Sequence, residues 1–180
     1  MKAYSDWASA RNFGLVLLIL MGLAFHELYK ATGITFLGII SPVNESKWEH
    51  WKMAFFPMLI IGGIEYFLLG LRGNNYLFAL AAGAAVFLIV TFGGIEIYEM
   101  IFAKAHIVVH VVSFLLGALA GQITRYYVMS QTRPSLMLLI AGITVIGLMF
   151  SIFFRFTFNP PMHDYFRDSI TGSYGIYKIR

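Results

Sequence analysis

Long apolar runs separated by short polar breaks set the pattern of this chain. The runs cover about 13–30, 48–71, 76–102, 106–128 and 135–158. Each reaches the roughly 18–20 residues with which a helix crosses ~30 Å of hydrocarbon. They predict an all-α fold, a polytopic membrane helix bundle of about five transmembrane helices forming one domain over 1–180. The segment 33–40 is apolar but too short to cross, and reads as interfacial or re-entrant. The breaks carry their own signals: Arg72-Gly73-Asn74-Asn75 is a turn, Pro134 suits the first turn of a helix, and Asn159-Pro160-Pro161 stops the last one. The aromatic, glycine-containing tail 159–180 is expected to fold as an ordered cover over one end.

Composition agrees with this reading. At 59 % hydrophobic, 12 % charged and a mean hydropathy of +0.75, the chain lies well outside the range of ordinary soluble domains. It has no cysteine, which removes disulfides, thiolate metal sites and cysteine nucleophiles together. The formal charge of +4 comes with no Lys/Arg-rich arm, so nucleic acid is not an expected partner and the basicity reads as membrane topology. The basic start at Met1-Lys2 leads into a full span without a small-x-small cleavage pattern, and predicts a retained first helix.

Five alternating spans fix which polar groups share a membrane face. All five histidines (His26, His50, His106, His110 and His163) fall on one side, with every acid except Asp6 and Glu65. That face also holds eight of the Lys and Arg residues against five on the other, which leans toward a cytoplasmic site by the positive-inside rule.

The polar island Ser41–Lys52 is the densest part of this face. Ser46-x-x-Glu49 before an apolar run is a capping-box signature; the same two residues, with Glu96 and Glu99, are candidates for catalytic work. Asn44 and Glu45 precede the cap and are expected to fold into the bundle as substrate-binding groups, together with Arg155 and His163. His106-x-x-x-His110 places two imidazoles on one helical face about 6 Å apart. With His50 from another helix they form the expected metal set, the plain reading being hydrogen-bonding anchors. Arg155 lies a turn inside its span and calls for a glutamate or an anionic ligand. Glu65 lies inside hydrocarbon, and must be protonated, paired with Arg72 or Arg125, or set in a water-filled path. Gly117-x-x-x-Gly121 and the small-residue run 79–85 are assigned to helix packing.

The string PVNESKWEHWKMAFFP with the closing TGSYGI resembles the signature of an uncharacterised family of small bacterial and archaeal integral membrane proteins. That resemblance implies a multi-pass protein of the cell membrane and no particular activity. A second, local similarity is to the alkaline ceramidase and adiponectin receptor superfamily, seven-span hydrolases that hold zinc near one membrane face. It rests on Ser46-x-x-x-His50 followed by His106-x-x-x-His110. It implies zinc on His50, His106 and His110, with Ser46 supporting the zinc-bound water. Five spans in place of seven, and no aspartate at the expected depth, depart from that pattern.

The leading expectation is a zinc-dependent hydrolase of a lipid or an amphipathic amide or ester, with Glu49, Glu96 or Glu99 as base and Arg155 placing an anionic head group. A small transporter using Glu65 as a proton or ion relay is the alternative, and a structural or assembly subunit the third. Membrane lipids are expected partners, and a homo-oligomer is open.

Overall fold

The computed structural model describes residues 2–68, 70 and 73–177, with side chains described from Arg11 onward. The described residues are mostly helical and contain no β-strand. They form α1 (Lys2–Thr32), α2 (Thr35–Ile40), α3 (Lys47–His50), α4 (Lys52–Phe67), α5 (Tyr76–Phe102), α6 (Ile107–Gln131) and α7 (Leu136–Phe158), then a short 3₁₀ turn at Asp164–Phe166. The chain is therefore an all-α bundle.

Among the described residues, four helices are long and apolar enough to cross a membrane: the Arg11–Thr32 part of α1, and α5, α6 and α7. The fifth expected crossing is built differently. α4 has only 16 residues, about 24 Å at 1.5 Å per residue, and ends at Phe67. Trp51, in right-handed helical conformation, joins it to α3, so the run from Lys47 to Phe67 traverses the bundle with one short discontinuity.

α4 is the central helix. Lys52 to Met58, Ile61, Gly62 and Glu65 are all buried, which is why its sequence is apolar nearly all round. α1 runs antiparallel to it: a Cβ on Gly14 would strike Glu65, and one on Gly22 would lie 2.9 Å from the Met53 carbonyl. Pro57 withdraws the N–H that would bond that carbonyl, and Gly22 lets α1 close over the gap. α7 crosses on another side through Phe55, Phe56, Phe150 and Phe153, with ring centroids 5.3–5.9 Å apart.

The expected packing role of Gly117 and Gly121 appears between α5 and α6. A Cβ on Gly121 would lie 2.6 Å from the Gly83 carbonyl, and one on Gly117 2.8 Å from that of Phe87. At the end of the bundle away from the histidines, Asn75 ties two turns together: its amide donates to Thr132 Oγ1 and the Arg133 carbonyl, and its Oδ1 accepts from the Ser135 N–H.

The other end is closed by two folded-back segments. Gly33, at φ +66°, ends α1 and turns α2 back toward α1 and α7. The tail folds under α3: Phe166 packs on Trp48 at 5.2 Å, and Arg167 bridges to Tyr174.

Candidate functional site

Antiparallel packing brings the end of α1, the 41–52 island, the ends of α5 and α7, the start of α6 and the tail to one end of the bundle. Direct contacts show it: His50 reaches His26 on α1, Lys47 reaches Glu96 and Glu99 on α5, Lys52 reaches Thr157 on α7, and Ser169 of the tail donates to the Glu45 carbonyl.

The island divides into a buried half and an open half. Lys52 is fully buried, and its ammonium donates to the Gly38 carbonyl, to Thr157 Oγ1 and to Glu49, at 2.7, 2.7 and 2.5 Å. Glu49 Oε2 also accepts the Val43 N–H at 3.0 Å. This network pins α2 and the loop after it onto α4 and α7. The capping box forms in part. Ser46 Oγ accepts the Glu49 N–H, but the Ser46 N–H goes to Asn44 Oδ1, because the Glu49 carboxylate is committed to Lys52 and Val43. Ser46, Glu49 and Asn44 are thus buried and placed to hold the loop.

The open half faces α1. His50 Nδ1 lies 2.7 Å from the Ser46 carbonyl, an acceptor only, so it carries the proton and Nε2 is left with its lone pair. His26 Nδ1 lies 2.5 Å from the Glu27 carboxylate, which fixes the same tautomer. The two Nε2 atoms then meet at 3.2 Å, and Glu45 Oε2 stands 3.3 Å from that of His50 and 3.7 Å from that of His26. The other Glu45 oxygen pairs with Lys30, which also reaches Glu27 at 3.3 Å. With a proton on His50 Nε2, the hydrogen bond from that ring, and Lys30 after it, hold the Glu45 carboxyl down at about 2 against the opposing effect of burial.

His26, Glu45 and His50 form the only group of three or more potential ligands, among the described residues, whose donor atoms all lie within 4.8 Å of one another. The set expected from sequence is not gathered this way. His106 is exposed and extended (φ −142°, ψ 119°), and its ring caps α6 by accepting the Val108 N–H. It precedes the helix, so its spacing to His110 is not that of one helical face. His110 turns instead to Glu99, at 3.3 Å. Glu99 and Glu96 share Lys47, at 2.6 and 2.7 Å.

The remaining expected residues lie apart from this group. Arg155 is exposed on the outside of α7, with no salt bridge among the described residues; its long stem lets the charge reach the boundary rather than requiring a glutamate. His163 is exposed and caps the 3₁₀ turn by accepting the Tyr165 N–H. Glu65 pairs with Arg125, both fully buried beside Gln122, at the other half of the bundle. Arg72, the other partner considered for it, lies outside the described residues.

From the sequence, His26 and Glu27 fall on the histidine-bearing face, but His26 is not grouped there with Glu45 and His50. The signal available was the run of polar residues on the last turns of α1, His26, Glu27 and Lys30, facing an island that carries Glu45.

Beside Glu45 the tail leaves a polar cleft of about 550 Å³, lined by Glu45, Lys47, Asp164, Arg167 and the 168–172 loop. Asp168 closes that loop: against its burial, it accepts from Thr171 Oγ1 at 2.5 Å and from the Ile170 N–H at 3.0 Å, and its carboxyl is lowered.

Fold and site together define a class: an apolar helix bundle, with four helices among the described residues long enough to cross a membrane and a histidine and carboxylate cluster at one end. The chain belongs to a family of unknown function, DUF6512, whose profile matches residues 1–176. Comparison with curated proteins and with solved structures finds no match.

Proposed function

We propose that this is a multi-pass protein of the cell membrane that holds one divalent transition metal on His26, Glu45 and His50, and uses it to hydrolyse an amphipathic amide or ester. The observation that carries the reading is the convergence of two Nε2 lone pairs whose Nδ1–H groups are each anchored on an acceptor. Metal-bound histidines are oriented in this way. The edges of the group fit as well. Ligand atoms about 2.0–2.1 Å from a tetrahedral ion stand roughly 3.3–3.4 Å apart, whereas cis positions of an octahedron stand roughly 3.0 Å apart. The distances of 3.2, 3.3 and 3.7 Å favour the tetrahedral ion, and zinc suits the two-histidine, one-carboxylate set.

Three protein ligands leave a coordination position for water, the arrangement of a catalytic ion rather than a closed structural one. A metal held by His26, Glu45 and His50 would supply Lewis acidity there, lowering the pKa of water and polarising an adjacent carbonyl. Glu27 orients His26, the Ser46 carbonyl orients His50, and Lys30 orients Glu45. The adjoining cleft offers Lys47 and Arg167 to a polar head group.

The test uses protein purified in detergent, stripped with a chelator and reloaded with zinc, on a fluorogenic long-chain amide and ester. Hydrolysis should disappear on stripping, return on reloading and be absent in His50→Ala. Turnover indifferent to metal or to His50→Ala, or no turnover of either substrate by loaded protein, contradicts the proposal.

A further inference from the structure

The half of the bundle away from the histidines carries a polar group of its own, which the metal reading leaves unused. Glu65 of α4 and Gln122 and Arg125 of α6 come together beside α1, at 2 %, 1 % and 0 % exposure. Gly14 makes the meeting possible: Glu65 Oε1 and Gln122 Nε2 both lie within 2.7 Å of the point that a Cβ on Gly14 would occupy. Arg125 Nη2 donates to Glu65 Oε2, and Gln122 Nε2 donates to the Arg11 carbonyl at 3.4 Å. The guanidinium lies over the Tyr126 ring, 4.8 Å from its centre.

These contacts leave the group half satisfied. Among the described residues, Glu65 Oε1, Gln122 Oε1, Arg125 Nε and Arg125 Nη1 are buried without a hydrogen-bond partner. Buried polar atoms in folded proteins are nearly always paired, and within hydrocarbon an orphaned one is costlier still. Four of them on three adjoining side chains therefore point to a ligand, and its chemistry follows from what is left over. Two donor nitrogens and two acceptor oxygens call for a group that both donates and accepts. The charges of Glu65 and Arg125 cancel, so a bare cation would meet the guanidinium and a bare anion the carboxylate. Water meets each requirement, being small, uncharged and satisfied by two to four polar partners.

Position supplies the route. α4 ends at Phe67, two residues beyond Glu65, and Arg125 stands six residues, about 9 Å, before the end of α6. In the other direction Leu18, Phe55, Met58 and Ile61, each at 1 % exposure or less, close the bundle toward the histidines. We infer that Glu65, Arg125 and Gln122 hold bound water that exchanges with the aqueous phase at the end of the bundle away from the histidines. That makes the group a wet polar site inside the spanning helices, the component that a proton or solute path requires and a sealed ion pair does not supply. The inference goes beyond the metal group and stands without it, since the two share no residue.

The test is hydroxyl-radical footprinting of the full chain in detergent by short X-ray pulses, read residue by residue by mass spectrometry. Radicals formed from a bound water mark the side chains beside it. Tyr126, against Arg125, should be modified about ten-fold faster than Phe55 of the apolar layer. When the solvent is switched to water enriched in heavy oxygen just before the pulse, the oxygen added to Tyr126 should be heavy. Glu65→Leu combined with Arg125→Met, which replaces the pair by apolar side chains, should bring Tyr126 down to the Phe55 rate. Gln122→Leu alone, which leaves the ion pair in place, should lower it in the same direction. Tyr126 modified as slowly as Phe55 in the parent, modified with light oxygen only, or unchanged by either substitution would overturn the inference.

Discussion

His26 Nε2 and His50 Nε2 face each other at 3.2 Å, while each ring's Nδ1 is held by an acceptor that takes only a proton-bearing nitrogen. Two lone pairs at that separation repel unless a proton or a cation lies between them. A cation has a third donor ready in Glu45.

The first prediction concerns Glu27, which touches no metal in this account but fixes the His26 tautomer. Glu27→Ala should lower metal affinity by about 10–100-fold. Glu27 is 64 % exposed, so the thermal midpoint of the metal-free protein should not move. Competition with a chromophoric chelator, alongside thermal unfolding in detergent, separates the two effects.

The second concerns Glu49 and Lys52, buried at 1 % and 0 % exposure. Breaking a buried pair from one side leaves an uncompensated charge and costs about 3–5 kcal/mol, whereas replacing both partners by apolar groups costs much less. Glu49→Leu should therefore destabilise the protein more than Glu49→Leu combined with Lys52→Leu. A double-mutant cycle on unfolding midpoints checks this; additive losses would place the stability elsewhere.

The third concerns acid. The Asp168 carboxyl is held below its ordinary value of 3.8 by the hydrogen bonds of its own loop, despite burial. The stability it contributes is complete above that ordinary value, and is lost as pH falls through the lowered one. Hydrogen exchange of the 168–174 amides should stay slow at neutral pH and accelerate only in strong acid. Asp168→Asn should accelerate it at neutral pH.

The helices were legible because burial in a bundle leaves long apolar runs, and the shared face was legible because short loops force alternation of direction. The partners of each histidine were not. His106 and His110 have the spacing of one helical face, yet α6 begins at Ile107 and leaves His106 as its cap. Glu45 reaches His26 only because Gly33 turns the chain back and Lys52 pins the returning loop, and neither long-range effect shows in local spacing. Arg155 has no glutamate partner among the described residues for a related reason: depth along α7 can be counted in the sequence, but the direction the side chain faces depends on which neighbours pack against the helix.

The central claim is tested most directly by elemental analysis of the purified protein and of its His26→Ala, His50→Ala and Glu45→Ala variants, each dialysed against the same trace of zinc. The account predicts about one metal ion per chain in the parent and a marked loss in each of the three, with His106→Ala and His110→Ala unchanged. A parent without metal, or one whose metal survives loss of His50 but not of His110, would contradict it.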